Sequence, residues 1–157
     1  MDDVRRYYDE RIEDEWGRLE RHRTELAVTL RALSDYLPDP PASVLDVGGG
    51  PGRHSVELAS RGYDVTLVDL SPGMVEFARG KARERSVRVT AVQGSATDLS
   101  RFPDAGFDTV LLMGPLYHLV EAADRQQAAR EARRVLWPGG VIFGSFITRY
   151  AEIRDAA

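Results

Sequence analysis

The chain has 157 residues, 43% of them hydrophobic, which suits one domain with a buried core. A formal net charge of -4 argues against nucleic acid and membrane surfaces as general partners. With no cysteine there is no disulfide framework and no thiolate zinc site, and with no long apolar run or signal-like start the chain is expected in the cytoplasm.

Residues 1 to about 37 read as helical. Val4, Tyr8, Ile12, Trp16 and Leu19 form one apolar stripe at i, i+4 and i+3 spacing. Leu26, Leu30 and Leu33 continue it after a break near Gly17 or His22. The stripe either packs a solvated amphipathic helix on the domain or builds a lid over the cofactor, with Tyr7, Tyr8 or Trp16 covering the substrate side. Pro38-Asp39-Pro40-Pro41 is a stiff break. It divides a helical cap, residues 1–37, from a core, residues 42–157.

The first strand, Val44-Leu45-Asp46-Val47, runs into Gly48-Gly49-Gly50-Pro51-Gly52. The crevice beyond the carboxyl end of such a strand is where ligands bind in an open α/β sheet. Glycine lets the backbone turn with positive φ and come close to a ligand, which points to a nucleotide-like cofactor. A dinucleotide fits poorly. Its pyrophosphate wants positive potential at the loop and helix start, and Asp46 stands two residues before the first glycine. The spacing G-x-G-x-x-G also fails, because Arg53 holds the third position after Gly48 and Gly50. The same carboxylate suits a cationic group such as an α-ammonium. A helix from Arg53 to Ser60 follows, closed by Gly62.

The second strand, Tyr63 to Asp69, ends on an acid, and a carboxylate there accepts hydrogen bonds from both ribose hydroxyls. Asp69 follows the glycine loop at about the 20-residue spacing expected of such an acid. Ser71 and Pro72 cap and open the next helix, with Met74 and Phe77 on one face. The third strand, Val87 to Gln93, leads to Gly94-Ser95-Ala96. The fourth, Phe107 to Met113, has the Val and Leu content of a central parallel strand. It is followed by Gly114-Pro115-Leu116-Tyr117-His118-Leu119, beside the first strand's loop at the switch-point crevice. Tyr117 and His118 are the catalytic candidates there. His118 either takes a proton from a nucleophile or orders the loop. His22, His54 and His118 have no ligand spacing, so no metal is expected. Asp124-Arg125-Gln126-Gln127 reads as a capping-box start for a helix that buries Ala128, Ala132, Val135 and Leu136. Leu136-Trp137-Pro138-Gly139-Gly140 then turns into a fifth strand, Val141 to Ile147.

Four of these segments, in order, resemble class I S-adenosylmethionine (SAM)-dependent methyltransferases. They are Asp46-Val47-Gly48-Gly49-Gly50-Pro51-Gly52 (D-x-G-x-G-x-G), Asp69-Leu70-Ser71-Pro72-Gly73-Met74, Gly94-Ser95-Ala96 and the Leu-x-Pro-Gly-Gly turn at Leu136. The resemblance covers about Val44 to Ile147. The Tyr7-Tyr8-Asp9 start followed by Trp16 also resembles the N-terminal segment of some small-molecule methyltransferases. The implied fold is α/β: a doubly wound, Rossmann-like parallel sheet in the order third-second-first-fourth-fifth. The implied cofactor is SAM, and the implied reaction is methyl transfer to an oxygen, nitrogen or carbon of a small-molecule acceptor.

The resemblance implies a cofactor site of Asp46, Gly48, Gly50, Gly52, Asp69, Leu70, Met74, Ser95, Ala96 and Met113. Asp46 would hold the methionyl ammonium, directly or through water. The glycine loop would follow the methionyl part, Asp69 the ribose, and Met74 is either against the adenine or in the core. The family usually has Gly-Asp-Ala where Ser95 stands. The serine oxygen and the Ala96 N–H remain available, so a weaker grip on adenine is expected. Tyr117 and His118 would face the transferred methyl. No Asn/Asp-Pro-Pro-aromatic signature points to nucleic-acid base methylation.

Two further strands of the family's sheet have no counterpart after the fifth, so a fragment or natural truncation is expected. The fifth strand, with Ile142, Phe143, Phe146 and Ile147, would be an apolar edge of the kind proteins avoid unless its own helices or a second copy cover it, making a homodimer. The alternative to an enzyme is a non-catalytic SAM-binding or partner-subunit module acting through that edge and the charged N-terminal helix. Asp46 and Arg53 argue against a nicotinamide dehydrogenase.

Overall fold

A computed structural model describes residues 12, 15–17 and 23–147 of the chain. The stripe positions Val4, Tyr8 and Leu19, the lid candidate Tyr7 and the short helix expected after Thr148 lie outside the described residues.

The strands are β1 (Ser43–Val47), β2 (Asp64–Asp69), β3 (Val89–Gln93), β4 (Phe107–Leu112) and β5 (Leu136–Gly144). The helices are α1 (Arg23–Tyr36), α2 (Arg53–Ser60), α3 (Pro72–Glu84), the single turn α4 (Pro115–His118) and α5 (Ala122–Val135). All strand pairs are parallel, in the order β3-β2-β1-β4-β5. The expected α/β sheet is therefore present, and the direction of winding reverses between the loops after β1 and β4.

Alternation along the strands sorts the core into two faces. Leu45, Val47, Val110 and Leu112 pack against Ala132 and Val135 of α5. Val44, Val65 and Leu111 pack against Leu33 of α1 and Leu58 of α2. Leu67 and Ala91 meet Val75 and Ala78 of α3. Val44 through Val47 are all buried because β1 is covered on both sides. Each fully buried Val or Leu stabilises the fold by about 1.5–3 kcal/mol relative to exposure.

Local signals set most boundaries. Ser71 caps α3 by accepting the Met74 N–H at 3.0 Å, a contribution of about 1 kcal/mol. Gly62 follows α2 at φ 94 and donates its N–H to the Ala59 carbonyl at 3.1 Å. At the far end of the sheet, Asp108 Oδ2 accepts both the backbone N–H and the hydroxyl of Ser43, each at 2.8 Å, tying β4 to β1. These bonds hold the Asp108 carboxyl below the usual carboxylate range.

Two expected boundaries are corrected. The last helix starts at Ala122, with Glu121 as N-cap and no side-chain cap bond, rather than at a capping box on Asp124. Ala122 and Ala123 are strong helix formers and carry the helix back past it. Asp124 lies in the first turn, where its charge still suits the helix dipole. The fifth strand begins at Leu136, within the expected turn, and ends at Gly144 instead of Ile147. Leu136 pairs with Phe107 and the next paired residue, Val141, meets Thr109, so residues 137–140 bulge out of a ladder that continues on both sides. Gly140 is required there, since a Cβ on it would lie 2.5 Å from the Asp108 carbonyl oxygen.

Candidate functional site

Register brings the two acids together. Asp46 on β1 lies opposite Leu67 on β2, and Asp69 lies two residues further along β2. The loop between β1 and α2 arches over both. Its Gly48 N–H donates to the Val68 carbonyl at 2.7 Å, and its Gly50 N–H donates to Asp69 Oδ2 at 2.8 Å. Asp69 Oδ1 accepts the Ser71 N–H at 2.9 Å. One carboxylate therefore fixes the glycine loop and the turn into α3. A carboxylate offers about four acceptor sites, and these two bonds take up one on each oxygen.

Asp46 is 3% exposed. Its Oδ2 accepts the hydroxyl of Ser55, itself buried on the inner face of α2, at 2.7 Å. Burial pushes the Asp46 carboxyl up to about 6; the Ser55 bond opposes this and the nearby Asp69 carboxylate adds to it. A buried carboxylate raised in this way gains from a cation beside it.

The glycines divide into packing and opening. A Cβ on Gly48 would strike the Pro115 ring at 2.7 Å, one on Gly49 would strike Asp46 Oδ2 at 2.7 Å, and one on Gly52 would strike Ala78 at 2.8 Å. A Cβ on Gly50 would meet nothing within 4 Å, so the loop opens there. Gly48 also holds φ 69. Gly48→Ala thus combines a left-handed φ with a collision against α4. It is expected to cost about 2–4 kcal/mol, read as a lowered urea midpoint. An unchanged midpoint would show that the loops after β1 and β4 part freely.

The remaining expected residues are less uniform. Leu70 is half-buried beside Asp69, with its carbonyl accepting Gln93 Nε2 at 3.1 Å. Met74 is 1% exposed. Gly94 donates to the Asp69 carbonyl at 2.9 Å, which brings Ser95 and Ala96 next to β2. The Ser95 hydroxyl lies 2.8 Å from Thr97 Oγ1 and accepts the Thr97 N–H at 3.2 Å. Half-buried Met113 packs against the face holding Leu33, and its carbonyl accepts the Ser145 hydroxyl.

On α4, Tyr117 is 38% exposed and its ring centre lies 4.6 Å from that of His118. Burial lowers the proton affinity of His118, against the opposing charge of Glu15. Ser55 and Pro115 complete the site and are not among the residues expected from the sequence. For Ser55 a signal existed: it stands three residues before Leu58, on the buried helix face, where a hydroxyl needs a partner.

Residues 44–140 match a family described as a methyltransferase domain. The chain is 33% identical over 146 residues to a glycine/sarcosine N-methyltransferase of Parasynechococcus marenigrum, covering 90% of this chain and 51% of that protein. It is 39% identical over 122 residues to a ubiquinone biosynthesis O-methyltransferase of Xanthomonas oryzae, covering 78% and 50%. It also resembles the solved structure of a SAM-dependent methyltransferase from Methanosarcina mazei, with 28% identity and a TM-score of 0.70 over 76% of this chain and 58% of that one. The chain spans about half the length of the curated relatives it matches.

Proposed function

The chain belongs to the class I SAM-dependent methyltransferase family, and on that premise we propose that it transfers a methyl group to an oxygen, nitrogen or carbon nucleophile of a small molecule. Asp46 carries this reading. A buried carboxylate under a glycine loop suits a cationic ligand head and opposes a pyrophosphate. The open space at Gly50 and the position of Asp69 at the end of β2, beside that loop, fit the rest of a nucleoside-bearing ligand. SAM, when bound, supplies a methyl group already activated on a sulfonium.

The chain's own work is then mainly orientation, which governs the rate when the leaving group is already activated. Asp46 would hold the ammonium and Asp69 the ribose hydroxyls. The backbone of Gly48, Gly50 and Gly52 would pass along the methionyl part. Leu70, Met74, the Ser95 oxygen and the Ala96 N–H are assigned to the adenosine side, and Met113, just past β4, to the cofactor site on the other bank. His118, kept neutral by burial, can accept a proton at a ring nitrogen from the attacking group, with Tyr117 beside it. Residues 1–37 serve as a cap and residues 42–157 as the core. The names of two relatives, one acting on glycine or sarcosine and one in ubiquinone biosynthesis, support a small-molecule acceptor.

Calorimetric titration with S-adenosylhomocysteine (SAH), with NADH as control, tests the site. Micromolar binding of SAH alone is expected. A folded chain that binds neither would sink the reading. The exposure of Ile142 on β5, and of Phe146 and Ile147 just past its end, favours a second reading, a partner subunit or homodimer joined through that edge. Concentration-dependent dimerisation without methyl transfer to any acceptor would select it.

A further inference from the structure

Trp16, on the N-terminal stripe, does not rest on apolar side chains alone. The Arg53 guanidinium carbon lies 4.7 Å from the centre of its ring, and Lys81 Nζ lies 5.3 Å from it. Phe77 meets the ring edge-on at 5.9 Å, and Lys81 also lies 5.2 Å over Phe77. Lys81 is the only lysine of the chain. Its side chain is 23% exposed and is tied to Glu84 at 2.8 Å. Both cations stand within the roughly 6 Å at which an aromatic face attracts charge, and tryptophan attracts it most strongly.

The partners of Trp16 give this cluster a consequence. Arg53 is the first residue of α2, directly after Gly52, whose φ of 84 turns the glycine loop into the helix. Phe77 and Lys81 belong to α3, whose Ala78 closes on Gly52. A hold on Arg53 is therefore a hold on the end of the glycine loop. The preceding residue, Glu15, acts through its charge on His118 on the β4 side. Two consecutive residues thus reach both banks of the crevice.

We propose that Trp16 is a positioning residue: seated against Arg53, Phe77 and Lys81, it braces the start of α2 and so fixes the end of the glycine loop for its ligand. The ligand half of this proposal rests on the cofactor reading above; the anchor does not.

The chain has two tryptophans, and the other, Trp137, is 57% exposed on the bulge of β5. In a Trp137→Phe background Trp16 is the sole fluorescent indole. Acrylamide quenching of the full chain is expected to show a protected Trp16. Quenching should rise about twofold when Arg53→Met or Lys81→Met removes one cation, and fall when SAH binds. In the same background, Trp16→Ala is expected to raise the SAH dissociation constant about tenfold through faster release. Trp16→Phe, which keeps an aromatic face, should restore most of the affinity.

A Trp16 as open to quencher as free tryptophan, and indifferent to both methionine variants, overturns the anchor whether or not SAH binds. A protected Trp16 with equal SAH affinity in Trp16→Ala overturns the positioning role. A protected Trp16 in a parental chain that binds no SAH overturns the cofactor reading, and the coupling with it.

Discussion

Asp69→Ala is expected to weaken SAH binding at least about 100-fold while the chain stays folded. Two charge-assisted hydrogen bonds to a ribose diol are worth about 1.5–3 kcal/mol each, so losing both accounts for the factor. A second loss adds to it. The Gly50 N–H now donates to Asp69 Oδ2, and the Ser71 N–H to Oδ1. Without the carboxylate the Gly50 end of the loop loses its tie, although Gly48 still holds the Val68 carbonyl, and part of the loop's order must be supplied at binding. The fold loses little, because the strands beneath are held by Val65, Leu67 and Val68 in the core. Asp69→Asn is the sharper control. It keeps the size of the side chain but turns an N–H toward one of two backbone donors, so its affinity should fall between alanine and wild type. Calorimetry gives the affinities and a urea melt shows whether each variant is folded. Unchanged affinity in folded Asp69→Ala refutes the ribose assignment. Unfolding of both variants would instead make Asp69 a structural tie.

The same residues show how much of the site is legible in the sequence. Helix α2 was legible to both ends, because Gly52 before Arg53 and Gly62 after Ser60 are local signals with local causes. The strands are legible as short apolar runs separated by helices, whereas their order is legible only through the resemblance to a doubly wound family. The start of α5 is not legible, because a polar tetrad at Asp124 imitates a cap, whereas the alanines before it decide where the helix begins. The turn at Pro138-Gly139-Gly140 imitates a strand boundary. Only the pairing of Leu136 with Phe107 shows that the ladder runs on past it. What the site added lies across the chain: Ser55 reaches back nine residues to Asp46, and Pro115 meets Gly48 from another loop. No spacing rule states such contacts, since they exist only once α2 folds onto β1 and β4 lies beside it. Met74 remained open between adenine and core because helical periodicity records which face is inward, not what lies there.

Asp46→Asn is expected to make the chain more stable and nearly unable to bind SAH. Burial raises the Asp46 carboxyl from its ordinary 3.8 to about 6. Between those values the native chain keeps a proton that the unfolded chain has released. Stability therefore falls as pH rises through that window, and above it the whole cost stands, about 3 kcal/mol. Asparagine has the same shape, can accept the Ser55 hydroxyl, and carries no charge to bury. Its melting temperature at pH 7.5 should exceed that of the wild type by about 6–12 °C, with the gain gone near pH 4. Binding moves the other way. The ionised carboxylate that is costly alone is the group an ammonium needs, and an amide offers it half the acceptors and an opposing N–H, so affinity should drop at least about 100-fold. The wild-type chain should bind SAH with constant affinity above about pH 6.5 and lose about tenfold per unit well below pH 6. At pH 6 binding should release about half a proton, so the heat of titration should differ between buffers of unlike ionisation enthalpy. Asparagine should abolish both the slope and the buffer dependence. If the two buffers give the same heat, the free carboxyl is already ionised and the stability gain should vanish as well. If Asp46→Asn binds SAH like the wild type, the ammonium lies elsewhere and Asp46 serves only to hold Ser55 under the loop.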